Sequence, residues 1–145
     1  MADARFTFTI SRPLEEVFAV LTDPEKTPKW SAPAVEEHWI TPGPPAIGSR
    51  RIAVTQLLGR RSQNIAEVTA FEANRMWEIK SVSGPPFVVR AEFARDNGGT
   101  RVDWVWSFDL QGPMGVLAPL VTRIVGRQFT KDFARLKRIM ETGEL

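Results

Sequence analysis

The chain has 145 residues, and its 19 lysines and arginines nearly balance 17 aspartates and glutamates, so the formal net charge is only +2. This length suits one core, and residues 1–145 are predicted to form a single domain. The near balance of charge gives no reason to expect nucleic acid as a partner. Cysteine and tyrosine are absent and there is one histidine, which excludes disulfides and thiolate metal sites and removes most of the usual proton-transfer groups.

Hydropathy sets an expectation for location. The opening residues MADARFTFTI lack a basic segment followed by an apolar stretch, and no window approaches the roughly 20 apolar residues that a spanning helix needs. We therefore expect a cytoplasmic protein without stable membrane insertion.

The first elements are one strand and two short helices. Residues 5–10 alternate apolar and polar side chains, which predicts a strand with one buried face. Pro13 and two glutamates then mark a helix start, and this helix carries an apolar face. Asp23 and Pro24 repeat the start signal, which predicts a second short helix toward Trp30. The apolar face of the first helix consists of Leu14, Val17, Phe18 and Leu21.

Six further strands and a long helix follow. Glycine, proline and asparagine separate short β-branched and aromatic runs, so the strands are predicted to be antiparallel neighbours. After Gly112 the apolar residues recur at three- and four-residue steps, which predicts a helix of about 25 residues with its start or a kink at Pro119. The predicted strands are 35–41, 49–58, 62–72, 76–83, 87–95 and 100–110.

Three phrases carry a resemblance to a known superfamily: SRPLEEVF at 11–18, LTDPEKTPKW at 21–30, and GPMG at 112–115 leading into the helix that ends FARLK at 133–137. The chain resembles the START-like, Bet v 1-like helix-grip superfamily (SRPBCC), in its polyketide cyclase/dehydrase and lipid-transport branch. The resemblance implies an α+β helix-grip fold, in which a seven-stranded curved antiparallel sheet wraps around the long C-terminal helix. It also implies a cavity between them.

Aromatic residues dominate the candidate ligand-binding set. Trp104 and Trp106 share one face of the last strand with Phe108, and such rings either fill a core or line a pocket. Gln56 and Glu67 are assigned to inward faces, where they would orient a polar group of a ligand; the alternative is that both meet water. The full set is Trp30, Trp39, Ile52, Val54, Gln56, Glu67, Trp77, Phe87, Val89, Trp104, Trp106, Phe108, Leu117, Val121 and Ile124.

Other polar features are interpreted as surface. His38 shares a strand face with Glu36, opposite Trp39, so a solvated edge is favoured over a metal ligand or a base. No cofactor and no metal are expected. The basic stripe of the last helix is interpreted as a solvated face, with contact to anionic lipid as the alternative. This stripe consists of Arg123, Arg127, Lys131 and Arg135.

Two functions use the implied cavity. The first hypothesis is binding or transport of a small hydrophobic or amphipathic molecule, either lipid, polyketide or isoprenoid-like. The alternative is a polyketide cyclase or aromatase-type enzyme, for which Glu67 is the candidate catalytic residue. A third interpretation is an interaction module that acts as a homodimer or binds another protein.

Overall fold

The described part of the chain, residues 2–57, 59–110 and 112–144 of a computed structural model, contains seven β-strands. They pair only with antiparallel neighbours, in the order β1-β7-β6-β5-β4-β3-β2. The predicted seven-stranded antiparallel sheet is therefore confirmed. The strands are β1 (Ala2–Ile10), β2 (Ala34–Trp39), β3 (Arg50–Leu57), β4 (Arg60–Glu72), β5 (Met76–Ser83), β6 (Phe87–Asp96) and β7 (Gly99–Phe108).

The predicted strand bounds need small corrections at the ends. β2 ends at Trp39 and β7 at Phe108, each two residues before the predicted end. Leu58, the predicted last residue of the third strand, lies outside the described residues. The treatment of 1–145 as one domain stays a prediction.

The helices begin where the start signals predict. They are α1 (Leu14–Thr22), a short 3-10 turn (Pro24–Lys26) followed by α2 (Thr27–Trp30), and a second 3-10 turn (Gly112–Leu117) followed by α3 (Ala118–Glu141). Pro119 lies in the first turn of α3, where its missing N–H costs nothing, so it marks the start of the helix. The predicted apolar face of α1 is buried: Leu14, Val17, Phe18 and Leu21.

The two halves of α3 are packed very differently. All the fully buried residues of this helix lie in its C-terminal half, from Asp132 to Met140. Phe133 is central there, because its ring stacks on Phe8 at a centroid distance of 4.3 Å and meets the edge of Trp104 at 5.2 Å. Residues 118–131 have no fully buried side chain, so this half covers the sheet without filling the space beneath it.

A buried carboxylate joins α3 to the segment after α2. The Asp132 side chain is only 2% exposed and accepts hydrogen bonds from the Ala32 N–H at 3.1 Å and from Gln128 Nε2 at 2.9 Å. Arg135 donates to it at 3.3 Å and to the Trp30 carbonyl at 3.0 Å. Arg135 is therefore partly withdrawn from the predicted solvated stripe, whereas the other three basic residues of that stripe are exposed.

Candidate functional site

A cavity of about 710 Å³ lies between the sheet and the less packed half of α3. Six residues of the predicted ligand-binding set line it, and they come from α2 and from three neighbouring strands. Their aromatic rings form one wall, because the Trp104 ring centroid lies 6.3 Å from that of Trp30 and 6.1 Å from that of Trp77. The six are Trp30, Trp77, Phe87, Val89, Trp104 and Trp106.

The face assigned to β3 was wrong. Ile52, Val54 and Gln56 do not line the cavity; the alternate residues Arg51, Ala53 and Thr55 do. The error has a physical cause. Ile52 pairs with Ile65 of β4 on the sheet face opposite the cavity. Cross-strand pairs of β-branched residues stabilise a sheet even where no core packs against them. The cavity face of β3 instead carries the polar Arg51 and Thr55 and the small Ala53.

Glu67 is also on the other face. Asn64 and Ala66 line the cavity from β4, while Glu67 pairs with Arg50 at 3.0 Å and its side chain is 34% exposed. The candidate catalytic assignment of Glu67 is therefore contradicted by its position.

The remaining predicted residues do not line the cavity. Trp39 packs against the core from β2, and Phe108 is buried in a stack on Trp106 at 4.4 Å. Leu117 is 39% exposed in the 3-10 turn, and Val121 and Ile124, both partly buried, lie in the first two turns of α3 and do not line the cavity. The residues that α3 contributes instead are Val125, Gln128, Phe129 and Asp132.

An ion pair in the cavity wall was missed. Arg51 Nη2 lies 3.3 Å from Glu37 Oε1, and the two side chains are only 10% and 5% exposed. The Arg51 guanidinium lies 5.2 Å from the Trp77 ring centroid, within the range of a cation–π contact. A signal was present in the sequence, because Glu37 shares a strand face with Trp39 and the adjacent strand supplies a cation at Arg51.

Burial perturbs both members of this pair. Burial raises the pKa of Glu37 above its usual value, and the nearby Arg51 charge opposes that rise. Burial lowers the pKa of Arg51, which Glu37 and Asp23 oppose. The cavity wall thus contains a carboxyl group that holds its proton more tightly than a solvated glutamate.

Several polar atoms at this end of the cavity have no hydrogen-bond partner among the described residues. They are Nη1 of Arg51, the indole Nε1 atoms of Trp30, Trp77 and Trp104, and Oε1 of Glu37, whose contact with Arg51 lacks hydrogen-bond geometry. All five residues line the cavity. Buried polar groups normally have hydrogen-bond partners, so these five atoms are exceptions among the described residues.

The other end of the cavity is bordered by exposed residues of two hairpins. Arg60 and Arg61 come from the β3–β4 hairpin and Pro85 from the β5–β6 turn. Arg61 pairs with Gln56, five positions along β3 from Arg51, which corresponds to roughly 16 Å. The cavity therefore extends from a buried polar end to an exposed basic rim.

His38 lies where the sequence predicts. Its side chain is 48% exposed, with Nδ1 3.6 Å from Glu36 Oε1. Residues 2–57, 59–110 and 112–144 contain no cluster of three or more metal-ligating side chains. Within the same residues, no helix has the length and apolar character needed to cross a membrane.

A curved antiparallel sheet that holds a C-terminal helix over an aromatic cavity defines the START-like, helix-grip class of proteins. Within this class, the chain belongs to the family Polyketide cyclase / dehydrase and lipid transport, whose model matches residues 1–141. The resemblance found in the sequence is thereby confirmed. No curated protein matches the chain.

Solved structures agree on the fold. Protein TTHA0849 from Thermus thermophilus is 18% identical, with 94% of this chain and 95% of that chain covered and a TM-score of 0.81. A START superfamily protein from Mycobacterium smegmatis is 14% identical over 97% of both chains, with a TM-score of 0.81. BexL, a di-domain ARO/CYC from the BE-7585A biosynthetic pathway, is 17% identical over 97% of this chain and 47% of its own, with a TM-score of 0.75.

Proposed function

We propose that the chain binds and carries a small hydrophobic or amphipathic molecule, either lipid, polyketide or isoprenoid-like, in this cavity. The observation that carries the proposal is a space of about 710 Å³ lined by tryptophan and phenylalanine rings and bordered by exposed residues. Ligand sites typically occupy about 300–1,000 Å³ and combine apolar walls with a few polar groups. Family membership and the START-like fold support binding of hydrophobic ligands in general.

A fluorescent apolar probe tests this function. N-phenyl-1-naphthylamine, which brightens in apolar surroundings, is titrated into the protein. The proposal expects a saturable increase in its fluorescence. The Val125→Trp variant places a large ring in the cavity from α3 and is expected to weaken probe binding roughly tenfold.

The matched control places the same ring outside the cavity. Val116 is 82% exposed and does not line it, so Val116→Trp is expected to bind the probe as the unsubstituted protein does. A linear, unsaturable response, or equal binding by both variants, contradicts the proposed function.

A cyclase or aromatase activity is the second candidate function. The observation that favours it is the buried carboxyl group of Glu37 in the cavity wall. Because its pKa is raised by burial, Glu37 keeps its proton to a higher pH than a solvated glutamate, and a protonated carboxyl group can act as a general acid. The test is incubation with a linear poly-β-ketone and mass spectrometry of the product. A cyclised product that Glu37→Gln abolishes, with ligand binding retained, supports an enzyme; absence of any cyclised product rejects it.

A further inference from the structure

We propose that the groove between β1 and the basic face of α3, the β1–α3 groove, binds an extended acidic segment of a partner protein. The groove has a volume of about 500 Å³, and its lining includes Phe6 of β1 and, on α3, Arg123, Gly126, Arg127 and Lys131. Among the described residues, the linings of this groove and of the ligand cavity have no member in common. The inference therefore concerns a second site and does not depend on the proposed function.

The first argument is the positive charge along the groove. Arg123, Arg127 and Lys131 are exposed, and none of them forms an ion pair within the described part of the chain, whereas Lys137 further along α3 pairs with Glu141 at 3.1 Å. The N-terminal half of α3 contains no aspartate or glutamate. Like charges four residues apart on a helix repel each other, so acidic groups supplied from outside would relieve this repulsion.

The second argument is the spacing of these cations. They recur every fourth residue of α3, which places them about 6 Å apart along the helix axis. In an extended chain, side chains on one face recur every second residue, about 6.6 Å apart. The two repeats differ by less than about 1 Å per step. A segment with acidic groups at alternate positions can therefore bring one carboxylate to each cation.

The third argument is a glycine inside the helix. Glycine lowers helix stability relative to alanine, yet a Cβ added at Gly126 would meet no atom within 4 Å outside its own stretch of helix. The packing of the described chain therefore does not require a glycine there. The open space lets the backbone of a partner approach α3 closely. A recess of this kind suits a single extended chain better than the flat surface of a bilayer.

The fourth argument is that the groove follows an edge of the sheet. The one strand that pairs with β1 in the described sheet is β7. Lys137 Nζ donates to the Thr9 carbonyl at 2.8 Å, so this carbonyl points away from β7. Backbone groups alternate in direction along a strand, and those of Arg5 and Thr7 therefore point the same way as those of Thr9. Such an edge can accept an extended segment as an added strand.

Two labelled peptides test the inference. The probe is a tetramethylrhodamine-labelled peptide in which three aspartates alternate with valine, and its control has lysine in place of aspartate. Each is titrated with the full chain at pH 7 and low salt and followed by fluorescence anisotropy. We expect the aspartate peptide to bind and the lysine peptide not to bind. Added salt should weaken the binding, because it screens exposed charges.

A triple variant locates the binding. Arg123→Gln/Arg127→Gln/Lys131→Gln removes the three cations and is expected to weaken binding of the aspartate peptide roughly tenfold, since each exposed ion pair contributes modestly. All three side chains are exposed, so the variant should unfold in denaturant much as the unsubstituted protein does.

Two further variants separate the groove from general electrostatics. Lys29→Gln/Lys80→Gln/Arg138→Gln removes the same number of charges from exposed residues outside the groove, and it should bind the peptide as the unsubstituted protein does. Gly126→Phe leaves the charge unchanged and places a ring in the open space, so it is expected to weaken binding severalfold.

The outcomes are distinct. The inference is overturned if the aspartate peptide does not bind, if the lysine peptide binds equally well, if both triple variants lose equal affinity, or if Gly126→Phe binds normally. Sedimentation with vesicles of equal parts phosphatidylglycerol and phosphatidylcholine tests the competing partner. Vesicle binding that requires the three cations, without peptide binding, would assign the groove to membranes and overturn the inference. Peptide binding by a protein that binds no apolar probe would support the inference while the proposed function fails.

Discussion

The two halves of α3 carry similar apolar spacing yet perform different tasks. Phe133, Leu136 and Met140 in the C-terminal half are buried in the hydrophobic core together with residues of the sheet and α2. Phe129 and Val125, one and two turns before Phe133, are only partly buried and line the cavity. The repeat of apolar residues is continuous across the boundary, whereas the packing is not.

This contrast explains how one helix can both stabilise the fold and leave room for a ligand. Asp132 lies at the boundary and fixes α3 to the segment after α2 through its hydrogen bonds. Because α3 is held in place at Asp132 and by its C-terminal half, its N-terminal half does not need to pack tightly against the sheet. The cavity beneath that half can therefore remain open.

The largest expected effect is a truncation in the packed half. Phe133→Ala removes a ring that contacts Phe8, Trp30 and Trp104, and truncation of a buried phenylalanine typically costs about 3–5 kcal/mol. Denaturant unfolding measures the loss. If Phe133→Ala lowers the free energy of unfolding less than Val125→Ala does, the two halves of α3 do not differ in packing as described.

The second prediction concerns the boundary. Asp132→Asn keeps the shape of the side chain but loses its negative charge and one acceptor oxygen. We expect a loss of about 1.5–3 kcal/mol in the free energy of unfolding, since hydrogen bonds to charged groups have that value. An unchanged free energy of unfolding in Asp132→Asn would show that Asp132 does not anchor α3.

The third prediction concerns pH. Burial raises the pKa of Glu37, so the folded state retains this proton at a pH where the unfolded state has lost it. The stability from Glu37 is therefore complete below the unfolded carboxyl pKa and is lost as pH rises through the folded value.

Comparison with Glu37→Gln isolates this effect. We expect the unsubstituted protein to lose stability relative to Glu37→Gln as pH rises above the ordinary carboxyl pKa of 4.5 and through the higher pKa of the folded state, measured by denaturant unfolding at each pH. Parallel pH profiles for the two proteins would contradict the burial of this carboxyl group.

The smallest expected effect on stability is a truncation in the cavity half. Val125 is partly buried beside open space, so Val125→Ala should cost less than about 1 kcal/mol. The same change should alter the affinity for the fluorescent probe. A cost as large as that of Phe133→Ala would mean that the cavity is packed.

The fold could be predicted from the sequence because turn residues separate the strands and both helix starts carry recognisable signals. The aromatic half of the site was predictable for a similar reason, since Trp104 and Trp106 share one strand face. The polar half was not, because Ile52 and Val54 give β3 an apolar face that lies outside the cavity. Alternation identifies a core only where the inward face is packed, and here that face carries Arg51 and Ala53.

A direct test of the central claim is a crystal structure of the protein grown with 2-bromonaphthalene, with the bromine located by its anomalous scattering. The account predicts a bromine peak between Val125 on α3 and the Trp77 and Trp104 rings on the sheet. Side chains that close this space, with bromine bound only on the outer surface, would contradict it.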